Sequence, residues 1–296
     1  MSAGFDFGLL LNPVFGEIII YALLVGILTC LCASVLGVNL VLKRYSMIGD
    51  GLSHVGFLAL GIAALFGISS ENTIYITFPV VIAAAFLLMW LSKNGKLKGD
   101  AATALVSVGT VAVGYVLFGI AESGSGDICA GLFGASILTL DSSDMILSII
   151  MSVVVIAVYA LTYKKIFAVT FDETFARSTG INTSAYNLIL SLLTAVTVVV
   201  GMKLIGSIMI SAVVVIPAVT AMRLFKNFKS AVIASAVISC VCFILGFIFA
   251  FSFVITKENG GNIQLPIGAT IVCFNVLAFI GVSVVNSIKN KISLQK

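Results

Sequence analysis

Nine apolar runs dominate the chain, each close to the roughly 20 residues that a helix needs to cross a hydrocarbon core. They lie at about 18–42, 50–68, 74–92, 101–121, 143–163, 185–202, 204–223, 230–255 and 266–288. Lipid offers no water to unpaired backbone groups, so a span must be a helix or belong to a closed barrel. These runs are nearly continuous and lack the alternation of barrel strands, so they predict helices. Composition agrees: 60% of residues are hydrophobic and 9% charged, where a soluble domain carries about 25% charged. The fold class expected is an all-α, polytopic helical bundle, one transmembrane domain over residues 1–296.

The charges orient it. With the N-terminus outside and the C-terminus in the cytoplasm, all but Lys203 and Lys257 of the 16 Lys and Arg residues fall on the inner side. That is the positive-inside rule, and a wrong number of spans would scramble it. The start of the chain lacks the basic n-region of a signal peptide, so the first span is expected to stay in the mature protein. No phosphate-cradling Gly-Lys-Ser/Thr loop occurs, and there is one histidine. The chain is therefore expected to be no enzyme, and if it drives transport the energy comes from another chain or from an ion gradient. Nucleic acid is not an expected partner; membrane lipid is.

That histidine, His54, lies in KRYSMIGDGLSHVGFLALG, residues 43–61. Asp50 precedes it by four, so the two share one face of a helix, with Ser53 flanking them. An ionised Asp near a bilayer centre costs roughly 2.5–3.5 kcal/mol, so such a residue is functional by default. Carboxylate and imidazole together suit a divalent transition metal; a polar pair linking two helices is the other reading. Small residues at Gly49, Gly56, Ala59, Ala63 and Ala64 let backbones approach and place this span inside the bundle.

Three segments are not plain spans. Residues 124–140 are Gly-rich and read as an outer loop with a short helix or re-entrant turn. The insert at about 167–182 contains FDETFARSTGIN. Asp172 and Glu173 suit a helix start, Arg177 a last turn and Gly180 a stop, in a two-turn helix exposing Phe171, Phe175 and Ala176. The run at 204–223 contains Pro217, which removes a backbone hydrogen bond; the freed carbonyl either lines a cavity or is absorbed by packing. This is the one interrupted span that the sequence discloses.

KRYSMIGDGLSHVGFLALG, FDETFARSTGIN and VGMKLIGSIMISAVVVIPAVTAMRL, in that order, together with the outer GLFGASIL, resemble the permease subunits of bacterial zinc, manganese and iron ABC importers, from about residue 18 to 288. The resemblance implies a type II importer fold in the cell membrane of a bacterium, and a second permease copy. It further implies two cytoplasmic ATP-binding subunits and an extracellular metal-binding lipoprotein. It makes Asp50 and His54 residues of the translocation path for Zn2+, Mn2+ or Fe2+, and the 172–180 insert the coupling helix. Phe175 and Ala176 would be its contact face. An ion-coupled secondary metal transporter is the alternative; such folds pair inverted repeats with broken helices.

Overall fold

The computed structural model describes residues 2–5, 13–45, 47–68, 70–94, 99–121, 142–256 and 262–294. Helices α1 (Pro13–Leu42), α2 (Met47–Leu65), α3 (Ile74–Asn94), α4 (Gly99–Ile120) and α5 (Ser142–Phe171) form the first half. A short α6 (Glu173–Ser178) leads into α7 (Thr183–Ile205), α8 (Ser207–Leu224), α9 (Phe228–Ser252) and α10 (Ile267–Leu294). Among the described residues, nine of these helices are long and apolar enough to span a membrane. Each predicted run overlaps one of them. The 124–140 segment lies outside the described residues.

The helices differ in what they bury. Of the apolar window of α2, 61% is inside the protein, against 22% for α4, α5 and α10. A helix that is apolar all round must therefore meet lipid or another chain along most of those three. Inside, α2 packs against α3, α4, α7 and α8, while α1 packs against α5, α7, α8 and α9. Close approach explains why. At Gly37 of α1 a Cβ would lie 1.9 Å from the carbonyl oxygen of Val214, so α1 and α8 touch through backbone. Ala59 and Ala63 are fully buried on α2, as the small-residue pattern predicts.

Pro217 is buried inside α8, and Val213, whose carbonyl loses its intrahelical partner to the proline, is buried too. Packing therefore surrounds the interruption. A second proline, Pro79, sits inside α3. The sequence reading of one interrupted span is corrected to two, because a proline near a helix start costs few rungs and leaves the hydropathy unbroken.

Two joints depart from expectation. α5 runs on to Phe171, two turns past its predicted end, because 164–171 contains no Gly or Pro to break the helix before Asp172. Between α7 and α8 stands Gly206 alone, at φ 91° and ψ 156°, a conformation open in practice only to glycine. At the same end of the bundle the structure adds a small antiparallel sheet to the expected helices. β1 (Ser2–Phe5), β2 (Phe253–Thr256) and β3 (Asn262–Gln264) pair with Phe5 opposite Phe253 and Val254 opposite Gln264. The N-terminus and the α9–α10 connection thus lie together, as alternation of the spans requires.

Candidate metal pathway site

α2 begins deep in the bundle. Gly49 rests against Val214 in the middle of α8, so the first turn of α2 is far from the end of its neighbour. Asp50 belongs to that first turn. The unpaired N–H groups and dipole of a helix start favour a carboxylate there, which offsets part of the cost expected for a buried charge.

One turn on, His54 Nε2 lies 3.3 Å from Asp50 Oδ1, with the side chains 17% and 38% exposed respectively. The i, i+4 spacing does bring the pair together, and neither side chain is sealed. His54 Nδ1 is buried and has no hydrogen-bond partner among the described residues. A neutral imidazole has one N–H and one lone pair, so donation from Nε2 to Asp50 leaves Nδ1 as the bare acceptor.

A serine that the sequence reading missed holds the carboxylate. Ser107 of α4 donates to Asp50 Oδ2 at 3.3 Å, whereas the Ser211 hydroxyl of α8 donates to Ile208 O at 2.8 Å within its own helix. The only signal of Ser107 in sequence is a hydroxyl within an apolar run. Ser53 is placed differently from its neighbours. It is fully buried, and its hydroxyl donates to the Asp50 carbonyl at 2.7 Å, a local helix bond that points it away from the pair. Among the described residues no cluster of three or more His, Cys, Asp or Glu side chains forms a closed metal cage.

At the opposite end from the sheet, α6 is stopped and started as its sequence dictates. The Asp172 carboxylate accepts from Phe175 N at 2.9 Å as N-cap, with Glu173 in the first turn. Gly180, at φ 83°, closes the helix: its N–H meets Arg177 O, and Ile181 N meets Ala176 O. These two bonds make a Schellman stop, with Arg177 in the last turn. Phe175 is 64% exposed, whereas Ala176 is fully buried. The expectation that both face outward is corrected. Successive helical residues point about 100° apart, so one faces out while the next seats the helix.

The sequence profile of the ABC 3 transport family matches residues 16–286. The chain belongs to that family. Other ABC 3-like proteins agree with the match across most of their length. The manganese transport system membrane protein MntC of Listeria monocytogenes is 28% identical, over 87% of this chain and 89% of that one. The zinc uptake system membrane protein ZnuB of Haemophilus influenzae is 28% identical, over 79% and 88%. Among solved structures, a chain of PsaBC from Streptococcus pneumoniae in complex with Fab superimposes with a TM-score of 0.75, at 25% identity and 93% coverage of both chains. This ABC 3 protein is accordingly a multi-pass permease of the bacterial plasma membrane.

Proposed function

We propose that the chain is the membrane-spanning subunit of an ATP-driven importer of divalent transition metal ions, with Asp50 and His54 as transient ligands on the ion's route. The relatives named for manganese and zinc support Mn2+ or Zn2+; carboxylate and imidazole also accept Fe2+. The observation that carries the reading is the 3.3 Å between Asp50 Oδ1 and His54 Nε2 on a half-open face of α2. Ligation requires the imidazole proton to move from Nε2 to Nδ1, freeing the Nε2 lone pair. Around an ion with bonds of about 2.1 Å, the separation then corresponds to a ligand–metal–ligand angle of about 104°, close to tetrahedral. Two ligands from one chain hold an ion loosely, which suits conduction, where a site must also release. The Ser107 hydroxyl on Asp50 fixes its orientation, as outer partners of metal ligands do. Ser53 then acts on backbone geometry, and Pro217 as an interruption absorbed by packing. Only neutral imidazole ligates, so acid weakens the site.

The remaining parts follow the same reading. The N-terminus lies outside and the C-terminus in the cytoplasm, residues 1–296 form one permease domain, and two copies pair. Two ATP-binding subunits receive α6 through Phe175, Asp172 to Gly180 transmit their closure, and an extracellular metal-binding lipoprotein delivers the ion. Catalysis of ATP hydrolysis rests with those subunits. In cells carrying Asp50→Asn or His54→Ala at normal membrane levels, uptake of radioactive Mn2+ or Zn2+ falls about tenfold or more. Wild-type uptake by both variants would end the assignment of the site.

A further inference from the structure

The basic pair ahead of Asp50 is unused so far except as an orientation signal. Orientation alone asks only for a charge in water. Lys43 is not so placed: it lines a cleft with Leu40, Tyr45, Ile48, Leu88 and Thr103, whereas Lys164 and Lys229 are exposed. Its Nζ donates to Oδ1 of Asn187, near the start of α7. The same Asn187 amide donates from Nδ2 to Glu173 Oε1 at 3.2 Å. Glu173 is the first residue of α6. An amide fixed at both its oxygen and its nitrogen cannot flip without losing both bonds. A continuous polar chain therefore runs from the insert, across α7, to the end of α1.

What lies beyond Lys43 gives the chain its meaning. Arg44 adopts φ 59°, and the joint is stitched by Arg44 N to Val41 O at 3.1 Å, Tyr45 N to Leu40 O at 2.9 Å and Ile48 N to Tyr45 O at 3.0 Å. The first two bonds fasten the joint to the end of α1, and the third fastens Tyr45 to the first turn of α2. A short bonded joint thus separates Lys43 from the turn that holds Asp50. We propose that the Glu173–Asn187–Lys43 chain is the tie through which movement of α6 is passed to the first turn of α2, making Lys43 and Asn187 positioning residues for transport. The proposal rests on the permease reading above.

The rival account makes these bonds ordinary tethers of helix ends. The two differ in how transport relates to ATP hydrolysis. The wild-type chain is reconstituted in proteoliposomes with its ATPase subunits and metal carrier, and Mn2+ uptake and ATP turnover are measured together. Lys43→Met and Asn187→Leu each lower the Mn2+ moved per ATP about tenfold, with ATP turnover held within about twofold. The double variant loses no more than either single one, because both cut the same chain. An unchanged ratio in either variant, or losses that multiply in the double, overturns the tie. Parallel loss of uptake and ATP turnover in assembled complexes also overturns it, as a merely structural effect. If Lys43→Met does not assemble, Asn187→Ser, which shortens the side chain without adding apolar bulk, carries the same expectation. Uptake of none of Mn2+, Zn2+ and Fe2+ by the wild-type complex overturns the permease reading instead.

Discussion

Lys43 illustrates how much a single side chain can owe to its surroundings. Burial pushes its ammonium down from the usual 10.5 to about 8, with Glu173 pulling the other way. The folded chain therefore gives up this proton earlier than the unfolded chain as pH rises. Between about 8 and 10.5 the unfolded state binds more protons, so stability increases with pH across that window and is level below it. The gain amounts to roughly 1–2 kcal/mol once partial solvent exposure is discounted. Thermal unfolding in detergent over that range, compared with Lys43→Met, checks it: the wild-type rise is expected to vanish in the variant. At this scale the sequence was half legible. The Asp50–His54 pairing follows from spacing on one helix, which period alone decides. Ser107 is 57 positions from Asp50 and Asn187 is 144 from Lys43. No local pattern records such partners, because they meet only once the bundle has closed.

Elements were more legible than residues, because a span is a sum over some 20 side chains and tolerates individual errors. Helix ends are decided by one or two residues, and there expectation slipped. α6 was readable because caps act locally: Asp172 and Gly180 each satisfy groups within three or four positions. The overrun of α5 was not, since lysines at 164–165 look like a membrane boundary while leaving the helix free to continue. The strands of the small sheet have four residues or fewer, too few for a periodic signal. Close helix contacts yield a prediction of their own. Gly37→Ala places a methyl against a backbone oxygen that no rotamer change can move aside. Separation of α1 and α8 to admit it costs about 1–3 kcal/mol. Chemical denaturation of the purified variant measures the loss; full stability would mean that the two helices meet less closely.

For the molecule as a whole, charge distribution makes the strongest forecast. Ser178 closes α6 and is exposed. With α6 in the cytoplasm, Ser178→Cys is labelled by a membrane-impermeant maleimide in inside-out vesicles and not in right-side-out ones. The opposite pattern would reverse the topology. The Gly206 joint bears on how that topology is first established. With one residue between α7 and α8 there is no polar loop for the translocation machinery to move across the bilayer separately. From residue 183 to residue 222 the chain carries a single charge, Lys203. These two spans must therefore enter the lipid together, as a preformed hairpin. A side chain on Gly206 would be felt during biogenesis, before any metal reached the finished transporter.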